Sequence, residues 1–363
     1  MKKNKHMARD IVLSVLLAGC FCAVLAYYQF DKSTSHSYAI SILERSAIYA
    51  VVAVSMNLLN GFTGLFSLGQ AGFMAIGAYV TAILTIPVAV RPSVYYMNGI
   101  VPWLENVHMP MLPAMIVGGL AAAGIAALIG IPVLRLKSDY LAIATLGFAE
   151  IIRAFLAAPM MDRITNGSYG LNNIPGYANI FQPMAIAAGC IILMLLLINS
   201  SYGRAFKAIR EDDVAAEAMG INLFRHKELA FVISSFFTGV AGGMLAVFMR
   251  SIDTKTFQVA LTYNILLIVV RGGIGSVTGS IIGSLLINGG QEWLRFLDEP
   301  TSVPVLSALF RPGFRMVIYS ILLMVVVLFW RRGIMGTNEF TWEGLFGLFK
   351  KKKRGNPAKG GNA

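Results

Sequence analysis

The chain reads as an all-α, polytopic transmembrane helical bundle of about ten spans, with both termini cytoplasmic. Three observations predict this. Of its 363 residues, 56% are hydrophobic and only 13% are charged, against about 25% charged in ordinary globular chains. Apolar runs recur at close to the length of about 20 residues that crosses a bilayer. Lys and Arg concentrate on one set of connecting segments. The net charge of +12 therefore reads as basic cytoplasmic loops, and nucleic acid is not expected as a partner.

The expected spans are 11–30, 39–59, 66–86, 113–132, 139–158, 183–200, 229–249, 259–271, 276–294 and 314–331. Lys2, Lys3, Lys5 and Arg9 precede the first. The stretch LAGC at 17–20 resembles a lipoprotein cleavage box, which would remove that span. The apolar run continues through FCAVLAYYQF to Phe30, so an uncleaved first helix is expected. The eighth span is short, and merging or splitting the glycine-rich region 272–283 gives eight or nine spans. With the N-terminus inside, the inner segments are 1–10, 60–65, 133–138, 201–228, 271–275 and 332–363. Together with Arg331 they hold two thirds of the 30 Lys and Arg residues, as the positive-inside rule requires. The chain thus divides into a basic N-terminus (1–10), a transmembrane domain (11–331) that includes the long inner segment 201–228, and a basic tail (332–363). Lys350, Lys351, Lys352, Lys353 and Arg354 in that tail fix topology or meet anionic membrane lipid. The outer loops are 31–38, 87–112, 159–182, 250–258 and 295–313; the second and fifth, with several prolines and no regular period, suit contact with an external partner.

Residues 60–81, NGFTGLFSLGQAGFMAIGAYVT, are apolar yet rich in glycine. In lipid, small residues let helix backbones approach closely, so Gly69, Gly72 and Gly77 are expected packing positions. The same reading applies to Gly118, Ala122, Ala126 and Gly130, and to Gly275, Gly279 and Gly283, each series forming one face of a helix. Ser67 and Gln70 are polar groups that need partners in such surroundings, which makes them candidates for a polar path. Thr145, Glu150 and the turn Thr165, Asn166 and Gly167 are further candidates. Arg153, three residues after Glu150, shares its helix face; the pair either stabilises packing or touches a solute. Thr165, Asn166 and Gly167 form either a polar mouth or an ordinary turn. Asn57, Asn264 and Arg271 complete the polar set, with Arg271 expected to snorkel to an inner boundary.

No P-loop, HExxH, GxSxG or paired-cysteine motif occurs. His6, His36, His108 and His226 are scattered, and Cys20, Cys22 and Cys190 lie in apolar runs. No catalytic residue, metal site or cofactor is assigned. Energy for active transport would come from another subunit or from an ion gradient, as in a stand-alone secondary transporter or channel. Segment 201–228, SYGRAFKAIREDDVAAEAMGINLFRHKE, predicts one charged helix over 204–219, ended by Gly220 as a C′ residue. Ile209, Asp212, Ala216 and Met219 would share a face, and Lys207 with Glu211 offers an i,i+4 pair.

Residues 204–222 resemble the cytoplasmic coupling segment of ABC-importer permeases, through Ala215, Ala216, Glu217, Ala218 and Gly220. More specifically, GLFSLGQAGFMAIGAY (64–79), GIPVLRLKSDYLAIATLGFAEIIR (130–153), TNGSYGLNNIP (165–175), GRAFKAIREDDVAAEAMGIN (203–222) and VVRGGIGSVTGSIIGSLL (269–286) resemble, in order, the LivM-type permeases of branched-chain amino acid ABC importers. The resemblance covers roughly residues 40–330 and implies a non-catalytic transport subunit in a bacterial inner membrane. It implies a LivH-like second permease, two cytoplasmic ATP-binding subunits that use the ATP, and a periplasmic or extracellular solute-binding protein. It places Arg204, Arg210, Glu211, Glu217 and Gly220 at the ATPase contact. Relatives that carry urea, amides or similar small solutes keep the solute open.

Overall fold

In the computed structural model, residues 34–97, 99–136, 138–294, 317–321, 324, 333, 335–336 and 339 are described. The expected span 11–30, the basic N-terminus, most of 314–331 and all of the basic tail except 333, 335, 336 and 339 lie outside them, as do Cys20 and Cys22. The described residues are helical, apart from turns, loops and one antiparallel bridge between Leu171 and Ile252.

Among the described residues, ten helices carry the fold: α1 (Thr34–Asn57), α2 (Gln70–Thr85), α3 (Met111–Val133), α4 (Ser138–Leu156), α5 (Phe181–Asn199), α6 (Ser201–Glu211), α7 (Asp213–Ala218), α8 (Leu223–Met249), α9 (Val259–Gly272) and α10 (Val277–Trp293). Among the described residues, four stretches, Tyr38–Thr63, Met111–Val133, Phe181–Asn199 and Leu223–Met249, are long and apolar enough to cross a membrane. The count rises to six when two bent pairs are each taken as one span: Gln70–Thr85 with Val88–Val94, bent by 96°, and Tyr140–Leu156 with Pro159–Thr165, bent by 59°. Helix α9 has 14 residues, which rise about 21 Å against about 30 Å of hydrocarbon. It reverses into the 17-residue α10, and the two form a hairpin.

The centre of the bundle is the packing of α8 against α2 and α3, with α1 linking this trio to α10. Small residues set the separations. A Cβ on Gly77 would lie 1.9 Å from the Gly239 carbonyl oxygen, and one on Gly118 would lie 2.7 Å from that of Gly77. Gly118, Ala122, Ala126 and Gly130 are all buried on α3, the single face that their spacing predicts. Gly72 meets Ala149 of α4, while Gly279 and Gly283 meet Gly272 across the hairpin. The opposite faces of α3 and α5 leave Leu120, Leu128, Leu193 and Leu196 exposed, as helices lying against lipid or another subunit do.

Three sequence expectations need correction. The span 66–86 is not one helix: residues 64–69 are non-helical and α2 begins at Gln70, so Gly69 packs against Thr145 from an irregular segment. Gly275 is not on the face shared by Gly279 and Gly283. It lies in the turn before α10 at φ +86°, a conformation costly for any residue with a Cβ. The helix expected over 204–219 breaks at Asp212, where φ −158° and ψ 113° are extended. The Asp212 carboxylate accepts from Val214 N at 2.8 Å and Ala215 N at 3.0 Å. It thus caps α7, and Ile209 and Asp212 cannot share a continuous face with Met219.

Candidate functional site

The irregular stretch after α1 is built around buried polar groups. Helix α1 unwinds through a π turn, Leu58–Thr63, and its last regular residue, Asn57, is fully buried. The Asn57 amide donates to Gly273 O at 3.3 Å, Ser276 O at 2.9 Å and Ser280 Oγ at 2.9 Å. Its Oδ1 accepts from Gly275 N at 2.8 Å. One side chain therefore grips both sides of the α9–α10 turn. Ser67 N donates to Asn60 Oδ1 at 3.1 Å, and Leu68 N to Thr145 Oγ1 at 3.0 Å, which ties the non-helical segment to the π turn and to α4.

Gln70 opens α2 inside a polar cluster. Its amide donates to Ser234 Oγ at 3.4 Å, and its Oε1 accepts from Thr238 Oγ1. Ser55 Oγ lies 2.8 Å from Thr238 Oγ1, and Ser234 Oγ donates to Ser55 O at 2.7 Å. Three helices are thereby joined through satisfied polar groups, the condition under which such groups persist in a bilayer. Ser67, Gln70 and Thr145, named separately from sequence, fall at this one break in the chain. Each is about 1% exposed.

The other path candidates lie apart. Glu150 and Arg153 form a half-buried ion pair at 2.7 Å on α4. Thr165 Oγ1 donates to Leu156 O at 2.8 Å, and the Asn166 amide donates to Val94 O at 3.1 Å and Gly170 O at 2.7 Å. These contacts, with Gly167 beside Asp162, pin the elbow after α4. Arg271 is buried, at 6% exposure, instead of reaching outward. Asn264 is exposed on α9.

The elbow after α2 holds a residue that sequence reading passed over. Arg91 is 2% exposed and donates to five carbonyls: Ile86 at 3.2 Å, Ile83 at 3.2 Å, Glu105 at 2.9 Å, and those of Leu104 and Val107. A cation at the end of α2 satisfies carbonyls that a helix terminus leaves open. Beside it, burial, partly offset by the Arg91 charge, pushes the Tyr95 hydroxyl up to about 12. It stays protonated and donates to Ile164 O at 2.7 Å. The only signal for Arg91 was an arginine in an apolar stretch between Pro87 and Pro92.

At the opposite end of α1, α6 lies against the π turn, with α7 following it. Helix α6 buries Gly203, Phe206 and Ile209. Arg210 Nη1 donates to Gly61 O at 2.9 Å, and the Lys207 ammonium sits 5.6 Å from the Phe62 ring centre. Lys207 therefore stacks on an aromatic ring instead of pairing with Glu211, whose partner is Arg210. Lys227 reaches back from α8 to Asp213 at 2.6 Å, and Arg204 donates to Ser201 Oγ at 2.9 Å. Helix α7 ends as expected at Gly220, with φ +84°. Gly220 N bonds Glu217 O, and Ile221 N bonds Ala216 O, the paired geometry of a Schellman cap. Beyond this anchoring, Val214 and Met219 are 77% and 83% exposed, and Glu217 is exposed beside them. A cavity of about 450 Å³ separates this segment from the break, lined by Thr63, Gly64, Leu141, Arg210, Asp213 and Lys227 among others.

A helical bundle of apolar, small-residue interfaces, with a polar break inside and a charged helix pair at one end, defines a multi-pass membrane protein. Residues 38–328 match the family described as branched-chain amino acid transport system / permease component, and the chain belongs to that family. It is 33% identical over 294 residues to the high-affinity branched-chain amino acid transport system permease protein LivM of Escherichia coli (strain K12), covering 72% of this chain and 64% of the relative. It is 32% identical to LivM of Salmonella typhimurium over 295 residues, with the same coverage. It is also 26% identical over 312 residues to LivH of Salmonella typhimurium, covering 80% of this chain and 92% of that one. The chain spans a little under two thirds of the length of the LivM relatives it matches. No solved structure matches it.

Proposed function

We propose that this chain is the membrane-spanning permease subunit of an ATP-driven importer in a bacterial cytoplasmic membrane, carrying leucine, isoleucine and valine. The names of its relatives support the solute class. Similarity to both LivM and LivH supports pairing with a second, related permease. The importer would contain two cytoplasmic ATP-binding subunits, which use the ATP, and an external protein that delivers the solute; no cofactor is assigned to this chain. The distribution of Lys and Arg supports ten spans with both termini cytoplasmic. Ser67, Gln70 and Thr145, buried at the break, would belong to the solute path, and the exposed Asn264 suits a path along the seam with the second permease.

The observation that carries this reading is the linkage at Arg210. The exposed surface of α7 fits an ATPase, while Arg210 joins the same segment to Gly61 in the break. Movement of α6 and α7 then reaches the membrane interior through one hydrogen-bonded turn, the two-state element that ATP binding would bias. Glu217→Lys reverses charge on the exposed face without touching the anchors. Gly220→Val meets open space but imposes backbone strain of about 1–2 kcal/mol at the cap. Both variants should insert normally, with leucine uptake falling roughly tenfold, the equivalent of about 1.4 kcal/mol. Wild-type uptake in both would remove the docking assignment.

A further inference from the structure

We propose that Glu339 is a positioning residue for transport, gripping the start of α10 beside the α9–α10 turn against which Arg210 of α6 packs. This inference rests on the permease reading above.

The Glu339 carboxylate sits at the start of α10, more than 60 residues earlier in the chain. Val277 N donates to its Oε1 at 2.7 Å, Thr278 N to its Oε2 at 3.1 Å, and Thr278 Oγ1 to the same oxygen at 2.7 Å. Ser276 Oγ donates to it at 3.4 Å and accepts from Gly279 N at 3.1 Å. Ser276 N donates to Gly273 O at 3.2 Å. The open N–H groups that begin α10 are thus divided between the local cap, Ser276, and one distant carboxylate, whose charge is favoured at a helix N-terminus. A second point of attachment lies alongside, where Met335 N donates to Gly272 O at 3.1 Å.

The position of this clip gives it consequence. The turn beneath it contains Gly272, Gly273 and Gly275, which have little conformational preference of their own. Its shape is set by what grips it. Asn57 holds Gly273 O, Gly275 N and Ser276 O from the membrane side. The Arg210 guanidinium packs beside Gly275, 3.3 Å from where its Cβ would be. Glu339 holds the next two residues. Helix α10 keeps Ser276 and its packing on α1 when Glu339 is changed, so assembly survives while the turn loosens and the linkage slackens.

The test uses the complete complex, with its second permease, ATP-binding subunits and solute-binding protein, in liposomes containing this chain as wild type, Glu339→Gln, Glu339→Ala or Glu339→Asp. Complex yield, ATP hydrolysis and leucine uptake are measured together, with amide exchange at Val277 and Thr278. The expected result is normal yield and continued hydrolysis, with uptake per ATP reduced roughly tenfold in the Gln and Ala variants, the scale of a lost charged hydrogen bond. Partial recovery is expected with Asp, along with faster exchange at the two amides in the Ala variant. Unchanged uptake per ATP in Glu339→Ala, or a fall in yield that accounts for all lost uptake, overturns the proposal. If the wild-type complex shows no ATP-driven uptake, the permease reading fails, and wild-type amide exchange in Glu339→Ala separately overturns the clip.

Discussion

Asn57→Ala removes four hydrogen bonds at the centre of the coupling linkage, and leucine uptake by the assembled complex is expected to fall at least tenfold. Hydrogen bonds between membrane helices average only about 0.6 kcal/mol each, with a maximum near 1.7. Four of them suggest about 2–4 kcal/mol. The upper end applies here because Gly275 N is buried and loses the acceptor that Oδ1 supplies. The cavity left by truncation is small, so polar loss outweighs packing loss. About 1.4 kcal/mol already shifts a two-state population tenfold, which makes function more sensitive than insertion. Membrane level should stay near wild type, while thermal unfolding in detergent shifts downward. Wild-type uptake and an unmoved midpoint would show that the α9–α10 turn does not depend on Asn57.

Arg91→Ala is expected to destabilise the chain by roughly 3–5 kcal/mol, because it strips the donor from five carbonyls at once. Arg91→Lys should recover little. A single ammonium has three donors around one point, whereas the planar guanidinium forks across separated carbonyls. Both variants should show early protease cleavage between residues 86 and 107, read as fragment size. If Arg91→Lys resists protease like the wild type, charge alone holds the elbow and the forked geometry does not matter.

Much of this was visible in the residues. The four-residue repeat over Gly118, Ala122, Ala126 and Gly130 marks a buried face because side-chain volume and helical period act locally. Gly220 as the end of the exposed segment follows equally from local backbone preference. The break before Gln70 was missed because a run of apolar residues and glycines fits helix or irregular chain alike; polar groups distant in sequence decide between them. The break at Asp212 shows a local ambiguity. Aspartate is poor inside a helix and good at its N-terminus, and the charged pattern around it continues unbroken. Arg91 and Glu339 draw their importance from partners that only the fold brings near. Ser67, Gln70 and Thr145 were each legible as polar groups needing partners, but not as neighbours of one break.

The most direct test of the central claim is accumulation of labelled leucine in proteoliposomes containing this chain, its second permease and the ATP-binding subunits, with the solute-binding protein added. The expected result is accumulation that requires ATP and every component, with none when this chain is omitted. Uptake driven by an ion gradient through this chain alone, or ATP-driven uptake that persists without it, would contradict the account.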